Sequence, residues 1–359
     1  MTIEHGPFGD DYLWDRSGPA DPRVQRLERL LSPFALREGL REVVPAPAAR
    51  APRQRWSRAL ALAALLGCLM VGGYGWYWQR LQWTEGSGWE TAVVAGQARL
   101  DGRPLQQSGK RLQPGGVIET DAAGVARISV AGIGEALLGK GSRLQLVQTR
   151  SGHHRVQLDH GTLWARIWAP PGSFGVGVPS GEAIDMGCEF LIRTDARGDG
   201  HLQVRSGWVQ FEDAEAEIFV PQGAQVVLHA GGVGTPYDDD AAPGFIAALA
   251  DIDQQGPRAA ADGPAVRQLL AASRREDAIT LLSLLSRYPQ LRDGPVFDRL
   301  GVLLPAGVTR QALAEQGPNA FNPWWRALPY PPMKRWWMKW PDAVTATGNT
   351  QSRLRQDPP

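Results

Sequence analysis

Cysteine is scarce in this sequence, and neither sign of charge is in excess. The chain of 359 residues has two cysteines, Cys68 and Cys188, too few for the disulfide framework of a small secreted domain. Its formal net charge is +1, so no basic surplus indicates a nucleic-acid partner. With 43% hydrophobic residues, the composition is that of a globular protein long enough for more than one folded unit.

Catalytic and metal-binding motifs are also missing from the sequence. It has no Gly-x-Ser-x-Gly elbow, no Walker loop, no His-Glu-x-x-His and no Gly-x-Gly-x-x-Gly that opens a helix after a strand. His153 and His154 are adjacent, but neighbours on a strand face opposite ways and do not converge on one ion. The aspartates at 238–240 lack the alternate spacing of a calcium loop. We therefore expect no enzyme activity, no cofactor and no metal site.

Long uncharged runs are rare too, and the one at residues 59–78 predicts a transmembrane helix. About twenty apolar residues in an α-helix cover a hydrocarbon layer of ~30 Å. Arginines crowd the N-terminal flank, so the positive-inside rule places the N-terminus in the cytoplasm and the C-terminus outside. The residues predicted to lie at the interfaces with the lipid bilayer are Arg55, Arg58, Trp76, Trp78 and Trp83.

A short helical segment is predicted before this run, within residues 1–42. Asp21 suits an N-cap and Pro22 the first helical position. So short a helix cannot bury an apolar stripe alone, which predicts a protein partner, a membrane surface or a small self-packed hairpin. The candidate partner-binding residues are Trp14, Val24, Leu27, Leu30 and Leu31. Residues 43–58 form a Pro/Ala/Arg linker.

Beyond the apolar run, two patterns follow one another. Residues 91–230 alternate apolar and polar side chains between glycine turns, which predicts a β-sandwich or a roll of short strands. Residues 243–340 are rich in tryptophan and carry helical periodicity, and 341–359 are expected to be a disordered tail. The predicted fold class is therefore mainly β, with one transmembrane helix, an N-terminal helical segment and a helical C-terminal region.

The β segment resembles the FecR-type domain of membrane-bound sigma-factor regulators. The matching stretches, in family order, are Leu112–Thr120, Val156–Trp164, Phe174–Pro179, Met186–Phe190, Val204–Val209 and Pro221–Ala224. The positions that carry the resemblance are Gly161, Phe174, Gly187, Cys188, Phe190, Gly207 and Gly223. An opening with Asp11–Trp14 and a tryptophan-rich helical tail resemble one subgroup of such proteins.

This resemblance implies a single-pass inner-membrane regulator. Its cytoplasmic segment would bind an extracytoplasmic-function sigma factor, and its periplasmic domain would sense an envelope signal, with an outer-membrane receptor or envelope ligand as a further partner. The alternative is a membrane-anchored periplasmic module that binds a glycan, peptidoglycan or a protein and has no transcriptional role.

Overall fold

A computed structural model describes residues 21–32, 64–75, 79, 82–105, 110–214 and 216–330. The chain divides into two units, residues 1–70 and 71–359. Helix α1 (Pro22–Leu31) belongs to the first unit, and helix α2 occupies residues 64–75. The strands and the remaining helices belong to the second unit.

The described part of the second unit is mainly β. Its strands are β1 Trp89–Ala95, β2 Ala98–Leu100, β3 Arg103–Pro104, β4 Lys110–Leu112, β5 Val117–Thr120, β6 Val125–Val130, β7 Gly134–Leu138, β8 Arg143–Arg150, β9 His153–Ile167, β10 Phe174–Val178, β11 Gly181–Asp185, β12 Glu189–Thr194, β13 Gly200–Ser206, β14 Trp208–Glu212, β15 Glu217–Pro221, β16 Ala224–His229, β17 Gly232–Val233 and β18 Tyr237–Asp238.

Two sheets share the long strand β9. Its first half pairs antiparallel with β8 and parallel with β10, and its second half pairs antiparallel with β7 and β12. The first sheet runs β4, β1, β6, β7, β9, β12, β13 and β16. The second runs β3, β2, β5, β8, β9, β10, β11, β14 and β15. The strand passes from one sheet to the other at Gly161, whose φ is +105°.

The alternation of apolar and polar residues places one apolar face of each sheet in the core between the sheets. In β6, for example, Ala126, Ile128 and Val130 are buried while Ser129 is exposed, as expected of a strand with one face inward. The largest side chains of this core include Trp89, Phe174, Phe190 and Phe211, each no more than 1% exposed. The expectation of short strands between glycine turns is therefore confirmed.

A helical layer follows the strands. Its helices are α3 Pro243–Gln255, α4 Pro264–Ala272, α5 Ala278–Arg287, α6 Pro295–Leu303, α7 Arg310–Gln316 and α8 Asn322–Ala327. Its apolar core also takes in Trp208 of β14 and Tyr237 of β18. The helices therefore pack against a face of the sheets that points away from the core between the sheets.

The predicted transmembrane helix is wrong. Among the described residues, no helix is long and apolar enough to cross a membrane. Within the apolar run, the described helical residues are 64–75. The composition of 59–78 meets the length requirement of a membrane span, but a span also requires one continuous apolar helix, which composition alone does not establish. The same finding contradicts the predicted location as a single-pass inner-membrane protein.

Candidate functional site

Helix α1 is built by its own sequence. The Oδ1 atom of Asp21 accepts a hydrogen bond from the Arg23 backbone N–H at 2.7 Å, and Pro22 occupies the first turn. At the other end the Ser32 backbone N–H donates to Glu28 O, and its Oγ donates to Arg29 O at 2.9 Å. Both ends are thus satisfied locally, so the predicted helix and its N-cap are confirmed.

One side of α1 is apolar and open. Val24, Leu27 and Leu31 recur at positions i, i+3 and i+7, and Leu30 extends the stripe. The exposed fractions of Leu27, Leu30 and Leu31 are 57%, 65% and 60%, and no residue of α1 is buried. We call these four side chains the leucine stripe. Burying a leucine fully is worth about 1.5–3 kcal/mol, so the stripe is a surface to which a partner can bind.

Charge accompanies the stripe. Helix α1 carries three arginines and one glutamate. At 100° per residue, Arg26 borders the stripe beside Leu30, and Arg23 falls within its arc between Leu30 and Leu27. Glu28 borders the other edge, and Gln25 lies on the opposite side of the helix. A partner that covers the stripe therefore meets arginines on the Leu30 side and a glutamate on the Val24 side, where charges guide association more than they add affinity.

Of the other residues predicted to contact a partner or the membrane, only Trp83 lies among the described residues. Trp14, Arg55, Arg58, Trp76 and Trp78 lie outside the described residues. Trp83 packs against the core of the β sheets, and its Nε1–H donates to Ser87 O at 3.0 Å. Its backbone N–H donates to the Ser151 hydroxyl at 2.7 Å, which fastens the start of the β unit.

The glycines of the family pattern serve the geometry of the sheets. Gly161 has positive φ where β9 bends, and a Cβ there would collide with Ser142. Gly207 and Gly223 also have positive φ, at +78° and +79°, and a Cβ on Gly207 would strike the carbonyl of Gly187. Phe174 and Phe190 are fully buried. Gly161, Gly207 and the two phenylalanines thus serve the geometry and the core of the sheets.

Cys188 lies in a buried polar turn with a group that sequence reasoning missed. The carboxyl of Asp185, at the end of β11, accepts hydrogen bonds from the backbone N–H groups of Gly187 and Cys188, at 3.0 and 2.8 Å, and from the Cys188 Sγ. Burial raises the pKa of Asp185 to about 7, and these donors oppose the rise. The turn is closed within the fold, and alternation alone did not distinguish a buried aspartate from an exposed one.

The two adjacent histidines are not used together. His154 is 1% exposed, and its Nδ1 lies 2.8 Å from the Thr149 hydroxyl, which accepts the Trp89 indole N–H at 2.9 Å. Burial lowers the pKa of His154 to about 4, so the ring is neutral near pH 7. Within the described ranges no group of three or more His, Cys, Asp or Glu side chains is placed to hold a metal ion.

A cavity of about 550 Å³ opens where the β16–β17 turn meets α3 and α5. Its carboxylate, Asp253, accepts hydrogen bonds from the Thr235 backbone N–H at 2.7 Å, the Thr235 hydroxyl at 2.6 Å and the Tyr288 hydroxyl at 3.2 Å. Burial raises the pKa of Tyr288 to about 12. The hydrogen bonds of Asp253 thus hold the segment after β17 against the end of α5.

Comparisons with known proteins add little to this picture. No family model matches the chain, and no curated protein does. Two crystal structures of a "putative anti-sigma factor" from Parabacteroides distasonis are similar to 37% of the chain, with 15% identity and a TM-score of 0.31. The chain spans 64% and 63% of the length of those two proteins. The FecR-type pattern remains a resemblance.

Proposed function

We propose that this protein is a sigma-factor-binding regulator in which the leucine stripe of α1 is the contact surface. The observation that carries the proposal is the stripe itself: a helix capped at both ends whose leucines are more than half exposed. An amphipathic helix that docks in an apolar groove uses anchors spaced in this way. The resemblance of the β segment to sigma-factor regulators supplies the class of partner.

The β sheets and the helical layer are the regulatory part in this proposal. Their cores are closed by large buried side chains, and the positions of the family pattern lie within that structure. A signal received by this unit would change the access of a sigma factor to α1. The outer-membrane receptor implied by the resemblance stays a prediction.

The test is a binding titration of the host's extracytoplasmic-function sigma factors against the full chain. We expect one sigma factor to bind with a micromolar or tighter Kd. Replacing both Leu27 and Leu30 by alanine removes two exposed anchors but keeps helix propensity, so Kd rises at least about tenfold, or 1.4 kcal/mol. Gln25→Ala, on the opposite side of α1, is the matched control and leaves Kd unchanged.

Either of two results overturns the proposal. One is that none of the sigma factors binds at about 100 µM. The other is binding that Leu27→Ala/Leu30→Ala leaves intact, which would remove the stripe from the contact.

The alternative is a module that binds a glycan through tail tryptophans, and it stays a prediction because Trp336, Trp337 and Trp340 lie outside the described residues. The two tryptophans that precede them in the tail are described. Trp324 is fully buried, and its indole N–H donates to Leu304 O at 2.9 Å. Trp325 is half-buried and packs edge-on against Phe219, with 6.1 Å between the ring centroids. Both rings thus contribute to packing, and stacking on a sugar requires an open ring face.

A further inference from the structure

Strand β15 is an edge of the second sheet. It pairs antiparallel with β14 from Trp208↔Pro221 to Glu212↔Glu217 and with no other strand of the described chain. An edge strand presents a row of backbone N–H and C=O groups to whatever lies beside it. Which groups these are follows from the register.

Three observations fix that register. The Asp213 backbone N–H donates to Ala216 O, so this pair closes the hairpin with a hydrogen bond. Hydrogen-bonded and non-hydrogen-bonded pairs alternate in an antiparallel ladder, so Glu217, Phe219 and Pro221 direct their backbone groups away from β14. Pro221 has no backbone N–H and so could not donate to β14. The carbonyl of its partner Trp208 accepts from the Met186 N–H, on the side of β14 away from β15.

Glu217 and Phe219 therefore offer two N–H groups and two C=O groups along one edge. No bond within the described residues occupies these four groups. The strand lacks a bulge, its register is continuous, and Glu217 is its only charged residue. A sheet edge of this kind is a template for an added strand.

A groove runs beside this edge. Its volume is about 380 Å³, and its lining residues are Ala216, Glu217, Ile218, Phe219, Ser283, Ser286, Arg287 and Trp325. Helix α5 thus forms one wall and β15 the other, while the rings of Phe219 and Trp325 meet in the groove. A groove between a strand edge and a helix accepts an extended chain, whose backbone pairs with the strand and whose alternate side chains face the helix.

Arg287 lines both this groove and the cavity of about 550 Å³ beside Asp253, and it is the cation of the groove lining. Its side chain is half-buried at the end of α5. Its Nη1–H donates to the Val233 carbonyl at 2.6 Å, and its guanidinium carbon lies 5.5 Å from the centroid of the Tyr288 ring. No carboxylate of the described chain forms an ion pair with it. An arginine held in place and lacking a carboxylate is suited to bind one, since guanidinium matches carboxylate geometry.

Glu217 restricts how much negative charge a peptide in the groove can carry. It lines the groove as well, and it forms no ion pair with Arg287. A run of acidic residues would meet Glu217 unfavourably, whereas a single acidic residue facing Arg287 would not. Charge complementarity thus selects an extended segment with one carboxylate among apolar or β-branched residues.

We propose that the groove between β15 and α5 binds an extended peptide segment of a partner protein, which adds a strand to the sheet edge and places one acidic side chain against Arg287. This site is separate from the leucine stripe, and the proposal does not depend on a sigma factor binding there.

The probe is a pool of capped peptides of about seven residues, with a central glutamate and Val, Ile, Thr, Phe or Lys at the other positions. A matched pool carries glutamine at the centre. Both are applied to the immobilised full chain, and the retained peptides are titrated. We expect glutamate peptides to be retained with Kd in the micromolar range, and Arg287→Gln to weaken them at least about tenfold. The glutamine peptides should bind weakly and respond little to that variant.

Strand pairing is tested through the backbone. Glu217→Pro removes an outward N–H without touching the β14 ladder, and Glu217→Gln removes only the charge. We expect the proline variant to lose binding and the glutamine variant to keep it. N-methylation of the peptide on the nitrogens that face β15 should abolish binding, while methylation on the alternate nitrogens should not. If Glu217→Pro fails to fold, the N-methylated peptides still test strand pairing and Arg287→Gln still tests the charge preference.

Three outcomes would overturn the proposal. The first is no retention of either pool at about 100 µM. The second is retention that is equal for glutamate and glutamine peptides and indifferent to Glu217→Pro and to N-methylation. The third is a dimer that Glu217→Pro dissociates, which would assign the edge to a second copy of this chain.

Discussion

The carboxyl of Asp185 is fully buried among N–H and S–H donors, and its pKa of about 7 lies well above the ordinary value of 3.8. The folded state therefore keeps the proton that the unfolded chain releases. Stability from this group is fully present below about pH 4 and is lost as the pH rises through about 7. In that window we expect the Asp185 contribution to fall by up to about 1.4 kcal/mol per pH unit.

The measurement is denaturant unfolding of the wild type and Asp185→Asn between pH 4.5 and 8. The difference in unfolding free energy between the two proteins isolates this carboxyl from His154, whose lowered pKa acts with the opposite slope. A difference that does not change with pH would show that Asp185 is ionised in the folded protein.

Gly161 allows β9 to belong to two sheets. A Cβ at this position would strike Ser142, and its φ of +105° is in any case strained for other residues. We expect Gly161→Ala to lower the free energy of unfolding by at least about 3 kcal/mol. Gly172→Ala is the control, because its φ is +80° with no atom within 4 Å of the added Cβ. It should cost only about 1–2 kcal/mol. Equal losses in thermal or chemical unfolding would refute the steric argument.

Among the elements, helices α6 and α8 depend on one side chain. Trp324 is fully buried, stacks on Phe321, meets Phe297 edge-on at 4.9 Å and donates to Leu304 O. We expect Trp324→Ala to destabilise the protein by about 3–5 kcal/mol. Trp324→Phe keeps a ring, and the Leu304 carbonyl still accepts from the Ala306 N–H at 2.7 Å. This variant loses one hydrogen bond and some ring volume, so it should cost less, about 1–3 kcal/mol. The measurement is chemical denaturation followed by near-UV circular dichroism. Equal losses of unfolding free energy in Trp324→Ala and Trp324→Phe would contradict the prediction.

How far the elements follow from sequence depends on how local their causes are. The alternation of Val125–Val130 and the N-cap of α1 arise from residues close in sequence, and both predictions are confirmed. The double role of β9 was not predicted, because it arises from pairing with strands far along the chain. The groove beside β15 was missed for the same reason: Phe219 and Arg287 are brought together only by the fold.

At the scale of the whole molecule, the helical layer and the sheets meet at Arg274. Its guanidinium contacts Asp277 at 3.1 Å, Asp240 at 2.9 Å and Asp238 at 3.5 Å, and the Tyr330 hydroxyl donates to Asp238 at 3.2 Å. The side chain of Asp277 is only 1% exposed. Arg274→Met leaves that carboxylate buried without a cation, so we expect a loss of about 1–3 kcal/mol.

Because Trp208 and Tyr237 of the strands belong to the core of the helical layer, the two parts should unfold as one. Far-UV circular dichroism and tryptophan fluorescence should then give coincident denaturation curves, and Arg274→Met should shift both by the same amount. Arg111→Met is the control, since Arg111 and Glu90 form an exposed pair at 3.6 Å that is worth about 0–1 kcal/mol. Curves that separate in Arg274→Met would instead show that this junction is what makes the sheets and helices cooperative.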